Sequence, residues 1–447
     1  MKTDIKLGAK TGTSIVWFRN DLRIHDNEAL SKAIDSSQYI IPLYCIDPSL
    51  FSIQESGCRK IGKFRARFLM DSLLDLRKQI NKLGGKLLIT FDKPENVIPQ
   101  LASLYQIKNV YCEKQITSEE LVTEQNVESA LWKLGVSLET ISGSTLIHTS
   151  DIPFTIKDLP DIFTTFRKKV ESDSLVRPLI ATPTQIDVPT DLVEENLPDL
   201  QRFDLVTDDT IFKGGETEAL SRLAYYFWTN DLLKSYKETR NELLGTDYSS
   251  KFSPWLALGC ISPRYIFHQI KKYEQERIEN ESTYWLYFEL LWRDYFKFVF
   301  KKYGNKFFKE DGIKQFEVAR KYKNQNFIRW QAGETGVPFI DANMKELKAT
   351  GYMSNRGRQN VASYLVHNLN VNWLLGAAYF EEMLIDYDVC SNYGNWAYLS
   401  GVGNDPRENR VFNISKQARD YDPQATFMKH WLPALQNEPK EIFFGVS

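Results

Sequence analysis

The chain has 447 residues, 43% of them hydrophobic, and a formal net charge of −2. That length predicts two or three domains with large cores, and the near-neutral balance excludes a polycation that binds nucleic acid with its whole surface. Five cysteines, Cys45, Cys58, Cys112, Cys260 and Cys390, lie too far apart for a disulfide framework or paired metal ligation, so no metal site is expected and a reducing, cytoplasmic setting is.

The first residues, MKTDIKLGAKTGTS, lack the apolar core of a secretory signal. No run approaches the roughly 20 apolar residues of a membrane span, so no membrane partner is expected. From Thr13 to His148 short apolar runs alternate with amphipathic helices. Ser14 to Phe18, Tyr39 to Cys45, Lys86 to Phe91 and Asn109 to Cys112 read as strands. Between the second and third, Phe64, Phe68, Leu69, Leu76, Ile80 and Leu83 share one helical face that closes at Gly84-Gly85. Continuous strands separated by helices predict βαβ units and a parallel sheet covered on both faces. No G-x-G-x-x-G follows the first strand, so a Rossmann dinucleotide site is not expected there. The first strand runs instead into Arg19-Asn20-Asp21-Leu22-Arg23, which reads as a solvated loop.

Asp151 to Phe212 is punctuated by Pro153, Pro160, Pro178, Pro183, Pro189 and Pro198, with one short helix from Asp161 to Glu171. It reads as a surface connector. From Gly214 onward the strand signal nearly vanishes. Ser253-Pro254 and Ser262-Pro263 each predict a hydroxyl N-cap with proline at N1. Ser282-Thr283 opens a helix that ends near Gly304. The expected fold class is α/β plus all-α: a doubly wound parallel-sheet domain over 13–148, a connector over 149–212 and a larger helical domain over 213–435. No internal repeat is visible, and the short run past Trp431 predicts no long tail.

Several constellations could carry chemistry. Ser249-Ser250-Lys251-Phe252-Ser253-Pro254 sets three hydroxyls and an ammonium before a helix start, which is either an anion site or a plain capped helix. In the helix from Tyr284 to Tyr303, Trp285, Phe288, Trp292, Tyr295, Phe296 and Val299 form an apolar stripe that also carries Glu289. A carboxylate among aromatics is either a functional group with a raised pKa or a structural partner for Arg293 at i+4. From Arg293 through Lys297, Lys301, Lys302, Lys306, Lys309, Lys314, Arg320, Lys321, Lys323 and Arg329 cations dominate; the segment is either a wet face or a track for a phosphate backbone. From Gly351 to Gly403, Asn355, Arg356 and Arg358 lead an apolar helix, and Asp386 and Asp388 precede a turn-like Ser391-Asn392-Tyr393-Gly394-Asn395. This stretch suits the mouth of a planar ligand's pocket, or a single structural ion pair. The Trp330, Trp373 and Trp396 rings are either core or something more; spacing alone does not separate these.

Together these stretches resemble the photolyase/cryptochrome family, and within it the cryptochrome-DASH branch. The likeness runs from Trp17-Phe18-Arg19-Asn20-Asp21-Leu22-Arg23 to Trp431-Leu432-Pro433 and is strongest in YKETRNELLGTDYSSKFSPWLALGCISPR (Tyr236 to Arg264) and STYWLYFELLWRDYFKF (Ser282 to Phe298). The resemblance implies FAD in the helical domain. Tyr236, Ser249, Ser250, Lys251, Phe252 and Ser253 would hold its phosphates and ribityl chain, with Trp285 and Glu289 beside it. Asn355 and Arg358 match the pocket, Arg358 paired to Asp386, with Asp388 at the flavin edge and Asn392 facing N5. The implied reaction is light-driven splitting of cyclobutane pyrimidine dimers by an electron from reduced flavin. Glu289 would bond the dimer carbonyl and Trp292 would stack on the dimer. Trp396, Trp373 and Trp330, in that order, match an electron relay that photoreduces the flavin from the surface. Tyr398 and Gln359 stand where double-strand photolyases carry tryptophan and methionine, which implies a preference for single-stranded DNA. Ser354, Asn355 and Gln359 replace the histidines that (6-4) photolyases use. A methenyltetrahydrofolate antenna is implied, with Gln115 where a glutamate usually meets the pterin. The chain is expected to act as a monomeric DNA photolyase, or as a blue-light photoreceptor with little repair.

Overall fold

In the computed structural model, which describes residues 10–194, 196–207, 210–314, 325–407 and 411–444, five strands form one parallel sheet. They are β1 (Thr13–Phe18), β2 (Tyr39–Cys45), β3 (Leu88–Thr90), β4 (Asn109–Glu113) and β5 (Ser137–Ile141), in the order β3-β2-β1-β4-β5. Successive side chains point to opposite faces of the sheet. Ile15, Trp17, Ile41 and Leu43 therefore enter one core, and Val16, Phe18 and Ile40 enter the other. With both faces covered, these strands read as unbroken apolar runs. β5 escaped the sequence reading because it is an edge strand: Ser137 and Glu139 are exposed, and Leu138 and Thr140 half-buried. β3 is shorter than the expected Lys86 to Phe91. Among the described residues no strand follows Ile141. Helices make up most of the rest, so the expected fold class holds. No described helix is long and apolar enough to cross a membrane.

Two of the expected helix starts differ in detail. Ser262 caps the helix Pro263–Glu276 as expected, its Oγ accepting from the Arg264 and Tyr265 amides at 3.1 and 3.4 Å. Ser253 does not cap: it is exposed and lies within the five-residue helix Ser253–Ala257, whose cap position is Phe252. The helix Glu281–Tyr303 is capped by Asn280, with Thr283 completing a capping box.

The stretch Arg19 to Arg23 is not a solvated loop. It is the joint between sheet and helices. The Leu22 amide donates to Leu258 O (3.1 Å), Arg23 Nη1 to Gly259 O (2.9 Å) and the Ile24 amide to Glu216 (2.7 Å). Asp26 grips Arg264 with two bonds of 2.9 and 2.7 Å and also accepts from Ser262. A Cβ on Gly259 would lie 1.9 Å from Asn20 O, so only glycine fits this contact.

The basic segment is also not a free face over its first turns. Arg293 donates to the carbonyls of Ser144 and Leu256, Lys301 to Thr149 Oγ1, and Lys302 to Leu159 O and Asp161. Lys301 and Lys302 staple the connector to the helices, while Arg320, Lys321 and Lys323 lie outside the described residues. The connector helix, Phe163–Asp173, buries Phe163, Phe166 and Val170 against the helix Glu281–Tyr303.

Candidate active site

A cavity enclosing about 550 Å³ of empty space, its open mouth included, is lined by Asn355, Arg358, Gln359, Asp386, Asp388, Asn392 and Trp396 among others. Ser354 starts the helix Asn355–Ser363 by accepting from the Gly357 amide (2.9 Å). The first turn of that helix sets Arg358 against Asp386: Nη2 to Oδ2 is 2.8 Å, and Nε donates to Met353 O (2.9 Å). Asp386 Oδ1 is buried without a partner. Asp388 caps the helix Val389–Leu399 by accepting from the Ser391 amide (2.8 Å), and its Oδ2 lies 3.5 Å from Lys297 Nζ. Burial, the largest single influence, would raise its pKa; Lys297, Arg293 and Ser391 together bring it down to about 2. Ser391 to Asn395, expected as a turn, lies inside that helix. Asn392 Nδ2 donates to Ala377 O (3.0 Å), which leaves its carbonyl oxygen for a ligand. Trp396 reaches the cavity wall because Gly376 opposes it; a Cβ there would lie 2.2 Å from its ring.

Glu289 lies outside this lining, one helix over. Its partner is Arg240 (Nη1 to Oε1 2.5 Å), not Arg293, which is spent on carbonyls. Burial raises the Glu289 pKa, and Arg240 opposes it. Arg240 also sits 5.0 Å above the Trp285 ring. Trp292 does not present both faces: Phe163 from the connector stacks on it at 3.7 Å and 13°, and Tyr398 meets it edge-on at 6.2 Å. Gln359 Oε1 accepts from Arg356, whose other nitrogen holds Asn241.

A third group is built by Arg222, which sequence reasoning missed. Its guanidinium donates to the carbonyls of Thr246, Ser249 and Ser250 and so shapes the loop before Lys251. Lys251 takes a left-handed φ of +59° and is 4% exposed. Its ammonium lies 3.4 Å from the Tyr248 ring centroid and 4.4 Å from that of Tyr352. Burial lowers its pKa well below the usual amine range. Nearby Glu346 is pushed up to about 8, by burial, with Lys251 and Arg358 opposing. Tyr248 OH and Glu346 Oε2 are buried without partners. Tyr236, Ser250 and Phe252 are buried around this loop, Ser249 half-buried and Ser253 exposed. Sequence reasoning also missed Lys297, hidden in what looked like a run of wet cations.

Comparison with known proteins gives these three groups a common frame. Residues 285–445 match the family model described as the FAD binding domain of DNA photolyase, and residues 14–186 match that described as DNA photolyase. A cryptochrome DASH from Synechocystis sp. is 50% identical over 96% of this chain and 88% of its own length. One from Danio rerio is 49% identical over 95% and 84%. The crystal structure of a Synechocystis sp. cryptochrome superposes with a TM-score of 0.94 at 49% identity, covering 97% of this chain and 91% of that one. This chain belongs to the photolyase/cryptochrome family. A bacterial class III photolyase from Agrobacterium tumefaciens is more distant, with 26% identity and a TM-score of 0.85 over 99% of this chain and 91% of that one.

The residues present fit the family's FAD. The buried cation Lys251 and the half-buried Arg358 suit a diphosphate and a polar ring edge, and the orphaned Asp386 Oδ1, Tyr248 OH and Glu346 Oε2 are groups that burial without a ligand leaves unsatisfied. The tryptophan order expected from the family likeness needs correction. Trp330 is fully buried and cannot be a surface end; its ring lies 6.2 Å from Trp396 itself. Trp373 is 1% exposed, on the same helix as Gly376 and one turn from it, and its ring meets Tyr393 at 6.3 Å. Gln115, expected at a folate, is 6% exposed and engaged internally: Oε1 accepts from Asn20 (3.2 Å) and Nε2 donates to Glu113 O (3.4 Å).

Proposed function

We propose that this protein is a FAD-dependent photolyase that splits cyclobutane pyrimidine dimers in single-stranded DNA. The observation that carries the reading is the pairing of Glu289 with Arg240 beside Trp285, on the helix that also holds Lys297 against Asp388 at the cavity. Reduced FAD, when bound and excited by light, supplies an electron to the dimer and takes it back. The protein's task is to bind, orient and exclude water. Arg358 and Asp386 would hold the flavin, the Asn392 carbonyl would face its edge, and Lys251 and the Ser249–Ser250 backbone would hold its phosphates. Glu289, whose pKa burial raises and Arg240 opposes, would bond the dimer carbonyl where negative charge grows. Gln359, its oxygen taken by Arg356, keeps its amide donors for the substrate.

Tyr398 and the covered face of Trp292 make a weak grip on a flipped dimer. Flipping a base from a duplex costs a few kcal/mol, and an aromatic stack returns ~1–3 kcal/mol, so losing one platform tips the balance toward strands that are already open. The reading includes a methenyltetrahydrofolate antenna beside Gln115, whose amide would have to release Asn20 and Glu113. Absence of pterin fluorescence after folate-supplemented preparation counts against that part. A blue-light photoreceptor is the second reading, favoured by the cryptochrome names of the curated relatives. The deciding experiment is repair under blue light by the reduced protein on matched single- and double-stranded substrates. Repair confined to single strands is the expected result; repair of neither, with flavin bound, favours the photoreceptor.

A further inference from the structure

With Trp330 buried beside Trp396, the described tryptophans of the relay have no outer end, and Trp373 has a tyrosine neighbour whose phenol meets a carboxylate. That neighbour is Tyr393. Its ring meets the Trp373 ring at 6.3 Å and 75°, and its phenol lies 3.3 Å from Glu381 Oε2. We propose that Tyr393 is the electron donor that refills oxidised Trp373, and that Glu381 takes the phenolic proton. The inference rests on the photoreduction reading above and names the residue that ends it.

The chemistry follows from what each ring's polar atom touches. Trp373 Nε1 donates to Glu310 O at 3.0 Å, and Trp330 Nε1 to Val361 O at 3.0 Å. A backbone carbonyl is too weak a base to take a proton, so an indole oxidised there stays a charged radical and a strong oxidant. An oxidised phenol is a far stronger acid than the phenol and loses its proton as the electron leaves. Tyr393 has a carboxylate in place for that proton. Burial raises the Glu381 pKa, which makes it a better acceptor, while Arg65, Gln54 and Lys60 act to keep it ionised and Glu119 acts the other way. Tyr387 and Tyr393 itself are the other titratable groups that face it.

The step balances. One electron passes from Tyr393 to the Trp373 radical cation, which an earlier electron loss toward photoexcited oxidised FAD has created. The phenolic proton passes to Glu381. The products are neutral Trp373, a neutral Tyr393 radical and protonated Glu381. Recombination then requires the proton to come back with the electron, which slows it. Tyr379 is an internal control: its ring also touches a relay tryptophan, Trp330 at 5.7 Å, but its phenol donates to the Gln331 carbonyl.

The test is flash excitation of the FAD-loaded protein, read by transient absorption and by electron paramagnetic resonance of freeze-quenched samples. The wild type should show a tryptophan radical that gives way to a tyrosine radical, more slowly in deuterium oxide. Tyr393→Phe should keep the tryptophan radical and lose the tyrosine one. Glu381→Gln should slow the tyrosine step by about 10²-fold, the usual loss on removing a positioned proton acceptor. Tyr379→Phe should behave as wild type. A tyrosine radical that survives in Tyr393→Phe, or a wild-type rate in Glu381→Gln, overturns the proposal. So does a wild type with a tryptophan radical and no tyrosine radical, a measurement that needs no variant to fold. A wild type with no tryptophan radical at all instead sinks the relay reading itself.

Discussion

Two buried lysine–acid neighbourhoods flank the cavity region and have opposite fates. Lys297 and Asp388 lie 3.5 Å apart, the acid caps a helix, and its pKa falls to about 2. Lys251 and Glu346 make no ion pair; the lysine is pushed down, the acid is pushed up to about 8, and Glu346 Oε2 has no partner. Burying an ion is costly unless a partner and hydrogen bonds replace its water. The first neighbourhood meets that condition from within the chain. The second does not, and its deficit is what an anionic cofactor would make good.

Breaking the satisfied pair should have the largest effect. Asp388→Ala strands Lys297 in the interior at a cost of about 3–5 kcal/mol, to be read as a thermal midpoint lowered by about 3–5 °C. The Arg240–Glu289 pair is intermediate, its carboxylate side chain 31% exposed. Glu289→Ala should cost little stability, ~1 kcal/mol or less, yet lower dimer repair by about 10²–10³-fold, the loss typical of a donor aimed at developing charge; FAD content by absorbance should not change. Lys251→Met should leave the FAD-free protein as stable or more so, and weaken FAD binding by about 10–100-fold in titration calorimetry, the equivalent of ~1.5–3 kcal/mol for a charged hydrogen bond. If it destabilised the FAD-free protein as Asp388→Ala does, the contrast between the two neighbourhoods would collapse.

The same neighbourhood should also show a pH dependence. Glu346 has a folded pKa above its ordinary value of 4.5, so between that value and about 8 the folded state keeps a proton that the unfolded chain has lost. Stability from this group is complete below pH 4.5 and is lost as pH rises through 8. Glu346→Gln should therefore match the FAD-free wild type at pH 4.5 and have a higher thermal midpoint than it at pH 9. Equal midpoints at both values would show that Glu346 is not buried as a proton-holding acid.

What could be read in the sequence was whatever depends on near neighbours. β1, β2 and β4 were legible as apolar runs, and the helix led by Asn355 and Arg358 as a periodic stripe behind cations. Misreadings fall where the deciding partner is remote. Arg19 to Arg23 looked wet because Glu216 and Gly259 lie far along the chain. Ser391 to Asn395 looked like a turn by composition, yet Gly394 is there because a Cβ would strike Phe296 at 2.3 Å. The Arg358–Asp386 pair was reachable through family likeness, whereas Arg222 and Glu346 carried no local sign, since a lone cation and a lone acid on helices read as surface. Trp330 shows the same limit, because spacing places a tryptophan on a helix but not at the surface or beside another ring.

The contact of Gly259 with Asn20 also sets a schedule for the molecule's birth. Arg23 and its acceptor Gly259 are 236 residues apart. At ~5–20 residues per second, a ribosome needs on the order of 10–50 s to deliver the second after the first. For that interval the sheet can form, but Asp21, Arg23 and Asp26 stand in water with the surface they are meant to close still unmade. The joint is thus the last part of the first domain to be completed, and a nascent chain stalled before Gly259 would present a finished sheet with an open, charged edge.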